Sequence, residues 1–314
     1  MVISAKKISN AIKEFVYLQT FDEKVLGVMV FGSLAKGMLR KTSDIDILLL
    51  TKGGERLRTI KEYDCLKFEI YKVPKTDFAS PFFSGKNLPF DTFRLQVLRS
   101  GKILYDLDGT LSWLSVKART QKIPRFYMNT MLKRACRLLG YARNHFRMGR
   151  LERAESALQS ASVELARALL LGMDEPEVNT PRLLIPHLRR RFPDFHKIFC
   201  EIQGINGAGK HDAESALIDF STHLSRVTDK FCRIQYDIEE AKTEFLNAKD
   251  CLEYGDYESA ILQLRLSANI LRRALREAKF PICSFSSAQK PNRSLIREYF
   301  SILKDHVEEY ATRD

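Results

Sequence analysis

Apolar and polar positions change their spacing twice along this chain. From Ser4 to Gln19 apolar residues recur at helical spacing, with Ser4 where an N-cap belongs. Val25–Phe31 is then an almost unbroken apolar run ending at Gly32, and Ile45–Leu50 is a second, bounded by Thr51-Lys52-Gly53-Gly54. Runs of this length closed by turn residues predict strands. Between Cys65 and Val73 polar and apolar residues alternate with period two as far as Pro74, which predicts a third strand with one polar face. Within Val97–Asp106, Gly101 suits a helix C-cap and Tyr105 is a strand-type aromatic. Beyond Trp113 the pattern is helical throughout, with arcs from about Pro124 to Met148, Leu151 to Leu171, Asp212 to Glu253, Tyr257 to Lys279 and Ser294 to Tyr310. Breaks fall at Gly149, Pro176, Pro181, Pro186, Gly204 to Gly209, Gly255 and Pro281.

These signals predict an α+β domain, a mixed sheet with helices, over residues 1–110, followed by an all-α helical-bundle region. The latter divides into a basic helical domain at 111–205 and a second helical domain at 206–314. A shift of 106 residues superimposes Gly149-Arg150-Leu151-Glu152-Arg153-Ala154 on Gly255-Asp256-Tyr257-Glu258-Ser259-Ala260. Leu158, Leu165, Arg167, Ala168 and Leu169 then meet identical residues at Leu264, Leu271, Arg273, Ala274 and Leu275. The second helical domain therefore reads as a repeat of the first, a duplicated helical hairpin.

Charge sharpens this division. Residues 1–110 carry 18 basic and 13 acidic side chains (+5), residues 111–200 carry 17 and 7 (+10), and residues 201–314 carry 16 and 19 (−3). Thirteen of the 17 middle bases are arginine, the side chain suited to bidentate contact with phosphate. A polyanion is a fitting partner for 111–200, although Arg134, Arg137, Arg143, Arg147, Arg150 and Arg153 read equally well as solvated helix faces. No apolar run reaches membrane-spanning length and the first ten residues lack a signal-peptide core, so the expected location is the cytoplasm. The six cysteines, Cys65, Cys136, Cys200, Cys232, Cys251 and Cys283, form no Cys-x-x-Cys pair and signal neither a zinc site nor a disulfide framework.

The chemistry concentrates in Phe31-Gly32-Ser33 and Ser43-Asp44-Ile45-Asp46-Ile47. Alternation along a strand directs Asp44 and Asp46 to one face and Ile45 and Ile47 into a core on the other. Two carboxylates on an apolar strand are costly to bury without a counter-charge, and hard divalent ions bind such oxygen pairs. Gly32 permits close backbone approach, and Ser33 opens a helix whose first N–H groups suit phosphate. These residues resemble the DNA polymerase beta nucleotidyltransferase superfamily, whose signature is Gly-Ser, about ten residues, then Asp-x-Asp; here ten residues separate Ser33 from Asp44. Gly37 and Ser43 also match the family's wording, and Val97–Asp106 resembles the closing segment of its minimal members.

The resemblance implies two-metal nucleotidyl transfer. Asp44 and Asp46 would hold two Mg2+ or Mn2+ ions, Gly32 and Ser33 the triphosphate of a nucleotide such as ATP, and a third carboxylate, assigned to Glu69 on the third strand, would complete the site. Many relatives carry aspartate there. Glu62, Asp64 and Asp77 are the reserve candidates, and Lys36, Arg40 and Lys41 are surface bases that could neutralise phosphate. The acceptor is not written in the motif. The basic middle segment favours RNA. The alternatives are adenylylation of a protein partner in a toxin–antitoxin-like system, since the duplicated hairpins loosely resemble HEPN folds, or a non-catalytic helical scaffold that binds RNA or protein. Oligomeric state is not encoded in any motif.

Other signals read as structural. Gly204–His211 nearly spells a phosphate-binding loop but places His211 where Ser or Thr belongs. Arg182 and His187 have the spacing of HEPN ribonucleases, but Pro186 is expected to interrupt their helix. The remaining histidines, His145, His196, His211, His223 and His306, show no metal spacing or paired acid, and Phe82, Phe83, Phe90 and Phe93 read as core.

Overall fold

The structure, a computed structural model, describes residues 5–37, 44–63, 66–83, 87–176, 181–228, 235–277 and 292–312. It resolves into two compact units, Met1–Ile123 and Pro124–Asp314.

The first unit is a five-stranded mixed sheet in the order β3-β4-β2-β1-β5. Its strands are β1 (Val25–Phe31), β2 (Ile45–Thr51), β3 (Leu57–Tyr63), β4 (Leu66–Pro74) and β5 (Lys102–Asp106). Only β2 and β4 pair in parallel; the other neighbours are antiparallel. Helix α1 (Ala5–Thr20) covers one face, where Ala11 and Phe15 join Val28, Val30, Ile45, Ile47, Leu49, Phe68 and Ile70 in one buried cluster. The opposite face holds Met29, Phe31, Leu48, Leu50 and Val73 beneath α4 (Leu88–Ser100) and α5 (Thr110–Thr120). Burial on both faces explains why β1 and β2 read as continuous apolar runs. Leu111, Leu114 and Ala118 of α5 lie in that second cluster, so the sheet unit extends to Ile123 rather than ending at residue 110. Phe82, Phe83, Phe90 and Phe93 belong to the same core.

Strand β3 escaped the sequence reading. It is an edge strand with most residues exposed, and with little to bury it shows no apolar pattern. Beyond β4 the chain makes the single turn α3 (Lys75–Phe78). The fully buried Arg94 of α4 fixes the following segment: its guanidinium donates to the carbonyls of Asp77, Phe78, Ser80 and Pro81 at 2.6–3.1 Å and to Ser80 Oγ at 2.8 Å.

The second unit is all helical. Its elements are α6 (Arg125–Arg147), α7 (Leu151–Gly172), α8 (Pro181–Arg191), α9 (Pro193–Ile202), α10 (Lys210–Thr228), α11 (Gln235–Glu253), α12 (Tyr257–Glu277) and α13 (Arg293–Thr312). The arc expected from Asp212 to Glu253 is thus two helices, α10 and α11. Pro186 lies inside α8 on an exposed face rather than breaking it. The amide it lacks would have bonded only Arg182, in the first turn, so the loss is small. Ser4, Cys65, Cys232, Cys283 and Pro281 lie outside the described residues.

The two turns that lie 106 residues apart share one geometry. Helices α6 and α11 end at Arg147 and Glu253, and α7 and α12 begin at Leu151 and Tyr257. In one turn Gly149 (φ 71°) donates to Phe146 O and Arg150 to His145 O; in the other Gly255 (φ 74°) donates to Leu252 O and Asp256 to Cys251 O. Both are glycine-closed helix ends in which a left-handed residue redirects the chain.

Candidate active site

β2 delivers the carboxylate pair. Ile45 and Ile47 are packed on the α1 side, which turns Asp46 to the other face, and Asp44 immediately precedes the strand. The parallel pairing of β2 with β4 places Asp46 opposite Glu69. The third carboxylate is therefore brought beside the first two by strand register, and Asp44 and Glu69 are close enough to repel one another.

Asp44 and Glu69 each have a basic or hydroxyl partner. Lys67 Nζ is 3.0 Å from Asp44 Oδ2. The Arg58 guanidinium, on the edge strand, and the Tyr71 hydroxyl both donate to Oε1 of Glu69, whose side chain is only 8% exposed. Tyr71 is in turn held by ring contacts with Phe31 (5.4 Å) and Phe93 (5.2 Å). Burial raises the Asp44 carboxyl above its ordinary value, and the nearby lysine only partly opposes this. Burial, then the Glu69 charge, pushes the Tyr71 phenol up, so it stays protonated and donates.

Gly32 adopts φ 68°, and a Cβ built there would lie 1.9 Å from Asp46 Oδ2. The carboxylate rests against a bare α-carbon at the entrance to α2 (Gly32–Ala35). Helix α2 is a single turn, shorter than the notion of a helix dipole requires; what it offers a phosphate is its first N–H groups and the Ser33 hydroxyl. The donor set is three carboxylates with ordinary oxygen chemistry, in a cradle that a side chain at position 32 would fill and where an ionised Asp44 is under-compensated. Those features fit a hard divalent cation such as Mg2+ or Mn2+. Lys67 and Arg58, each more than 40% exposed, can swing away on their long stems.

Two of the reserve acids are engaged elsewhere. Asp77 is bonded to Arg56 at 2.7 Å, Glu62 stands exposed on β3 opposite Lys67, and Asp64 lies outside the described residues, as do Arg40, Lys41 and Ser43. Lys36 caps the end of α2. Residues 204–209 form an interhelical turn capped by Asp212, which accepts from the Gly209 N–H at 2.9 Å. Although α8 continues through Pro186, Arg182 and His187 sit about 140° apart around it, and His187 Nδ1 faces Glu175 at 3.6 Å.

One part of the histidine reading is corrected by the structure. His196 does have a paired acid: its Nε2 is 3.1 Å from Glu258 Oε2 and 3.3 Å from Cys200 Sγ. His306 pairs with Glu309 at 3.7 Å. The i, i+4 spacing of His196 and Cys200 was visible once Pro193 is taken as a helix start; Glu258, 62 residues further on, was not. Burial, and then Glu258, pushes the Cys200 thiol up to about 12.

Residues 10–110 match the family model described as polymerase beta, nucleotidyltransferase. The match falls within the sheet unit, which it marks as a nucleotidyltransferase-type domain. Among solved structures, a nucleotidyltransferase-like protein from Exiguobacterium sibiricum 255-15 is similar at 15% identity, covering 97% of this chain and 92% of that one with a TM-score of 0.43. No curated protein sequence matches. Among the described residues, no helix is long and apolar enough to cross a membrane.

Proposed function

We propose that this chain transfers a nucleoside monophosphate, with ATP as first donor candidate, onto RNA, using two divalent ions held by Asp44, Asp46 and Glu69. The observation that carries this reading is the pairing of Asp46 with Glu69 across β2 and β4 while Asp46 also lies against Gly32. Metal ligands and phosphate-binding backbone then share one small volume. Bound ions would lower the acceptor hydroxyl's pKa and neutralise charge on the nucleotide phosphates. The protein's own part is positional. Ser33 and the first N–H groups of α2 hold phosphate oxygens, Lys67 and Arg58 release the carboxylates, and Tyr71 fixes Glu69 through Oε1 so that Oε2 can take the acceptor proton.

Support for RNA comes from α6. Its 23 residues include no acid, and Arg125, Lys133, Arg134, Arg137, Arg143 and Arg147 are all exposed. Successive steps of about 100° put these six on one half of the helix, opposite the buried half formed by Tyr127, Met128, Met131, Leu132, Ala135, Leu139 and Ala142. Such a stripe supplies salt-dependent affinity for a phosphate backbone.

Purified protein incubated with each α-labelled nucleoside triphosphate, Mg2+ or Mn2+ and total RNA should transfer label to RNA, and an Asp44→Ala/Asp46→Ala control should not. Label on protein instead of RNA would favour the toxin–antitoxin-like alternative. No transfer and no metal-dependent nucleotide binding would overturn the enzyme reading and leave the scaffold.

A further inference from the structure

We propose that His196, Cys200 and Glu258 form a separate metal site, in the helical unit, for a borderline divalent ion of the zinc type. Their donor atoms all lie within 4.8 Å of one another. His196 and Cys200 sit one turn apart on α9, and Glu258 is the second residue of α12, immediately past the Gly255 turn. Zinc bonds of about 2.0–2.3 Å to nitrogen, oxygen and sulfur place neighbouring ligands of a tetrahedral site about 3.3–3.6 Å apart. Here Nε2 to Oε2 is 3.1 Å and Sγ to Nε2 is 3.3 Å. Both distances are within a few tenths of an ångström of that spacing, so small side-chain movements would admit the ion.

The geometry also argues against the other chemistry a cysteine, histidine and acid suggest. In a nucleophilic relay the thiol and the acid engage opposite ring nitrogens. Both partners here approach Nε2, and Cys200 is 1% exposed. Convergence on one ring nitrogen surrounds a common centre, and a thiol buried this deeply is closed to a substrate but open to a small ion through the partly exposed Glu258. Thiolate, imidazole and carboxylate together select zinc over the magnesium favoured by an all-oxygen set. Binding releases the Cys200 thiol proton to solvent as Sγ takes the metal, and water fills the fourth position. Arg189, 2.7 Å from Glu258 and 53% exposed, turns to Asp256, already 3.7 Å away. The ion would pin α9 to the turn of the second hairpin. This inference is independent of the nucleotidyl-transfer reading.

Cobalt titration of the full-length protein under oxygen-free conditions tests it. One equivalent should produce a thiolate-to-cobalt charge-transfer band, absent in Cys200→Ser, with affinity reduced at least tenfold in His196→Gln and Glu258→Gln. Zinc should raise the melting temperature of the native chain but not of Cys200→Ser, and circular dichroism of each variant would establish that it folds. Absence of the band in the native chain, or a band unchanged in Cys200→Ser or His196→Gln, would overturn the site.

Discussion

A methyl group at Gly32 would stand 1.9 Å from Oδ2 of Asp46. The glycine is thus needed twice: for its left-handed backbone and for the room it leaves the carboxylate. Gly32→Ala should lower transfer by at least about 100-fold, the scale of an ångström's displacement at a reacting centre, while backbone strain costs about 1 kcal/mol or more of stability. Single-turnover transfer and urea denaturation would measure the two effects; unchanged transfer would remove Asp46 from the metal site.

Asp44→Asn should separate function from stability. The folded-state pKa of Asp44 is raised above 3.8, chiefly by burial. Its contribution to stability is therefore fully present below the unfolded pKa and lost as pH rises through the folded one, so the ionised group opposes folding at neutral pH. Without divalent ions the variant should be as stable as the native chain, or more so, at pH 7, with the difference shrinking as pH falls toward 4, while transfer drops to background. Melting curves across that range would show the trend.

Asp108 behaves in the opposite sense. Hydrogen bonds from Lys75 and Thr110 hold its carboxyl down to about 2, and it also accepts from the Thr110 N–H at the start of α5. Its contribution is present above the unfolded pKa and is lost as pH falls through about 2. Asp108→Ala should cost about 1 kcal/mol at pH 7, as the loss of a helix cap does, and the gap between variant and native chain should close between about pH 4 and pH 2. Chemical denaturation at several pH values measures it.

The two glycine turns of the helical unit should respond alike. Gly149 and Gly255 share a left-handed φ near 70° and the same hydrogen-bond pattern, and added Cβ atoms would meet nothing closer than 3.9 Å. Alanine at either should cost about 1 kcal/mol from backbone strain alone, and the double variant should show the sum. Unequal losses in denaturant titrations would mean the turns are alike in shape but not in energetics.

Much of this was legible in the sequence because both sheet faces are buried and strand alternation is strict. The apolar runs located β1 and β2, and Ile45 and Ile47 fixed where Asp46 points. Glu69 could be assigned to a polar face, but its partner could not be read, because the register that sets it opposite Asp46 depends on a parallel pairing of strands separated by β3. Arg58 lay on an edge strand without a period, and α5 was missed because only Leu111, Leu114 and Ala118 bind it to the core. The His196 cluster stayed hidden for a related reason: two of its members are neighbours on one helix, and the third arrives from another hairpin.

Arg94 carries a consequence for the order in which the sheet unit assembles. A single buried guanidinium satisfies four carbonyls, those of residues 77, 78, 80 and 81, from 13 to 17 residues downstream. Beyond the single turn of α3, those acceptors lack their buried donor until α4 has docked, so the segment leaving β4 should set late, behind the strands that it follows in the chain. The carboxylate cradle at the other end of β4 belongs to the earlier stage. Binding ligands would then be in place before this stretch of surface has acquired its final form.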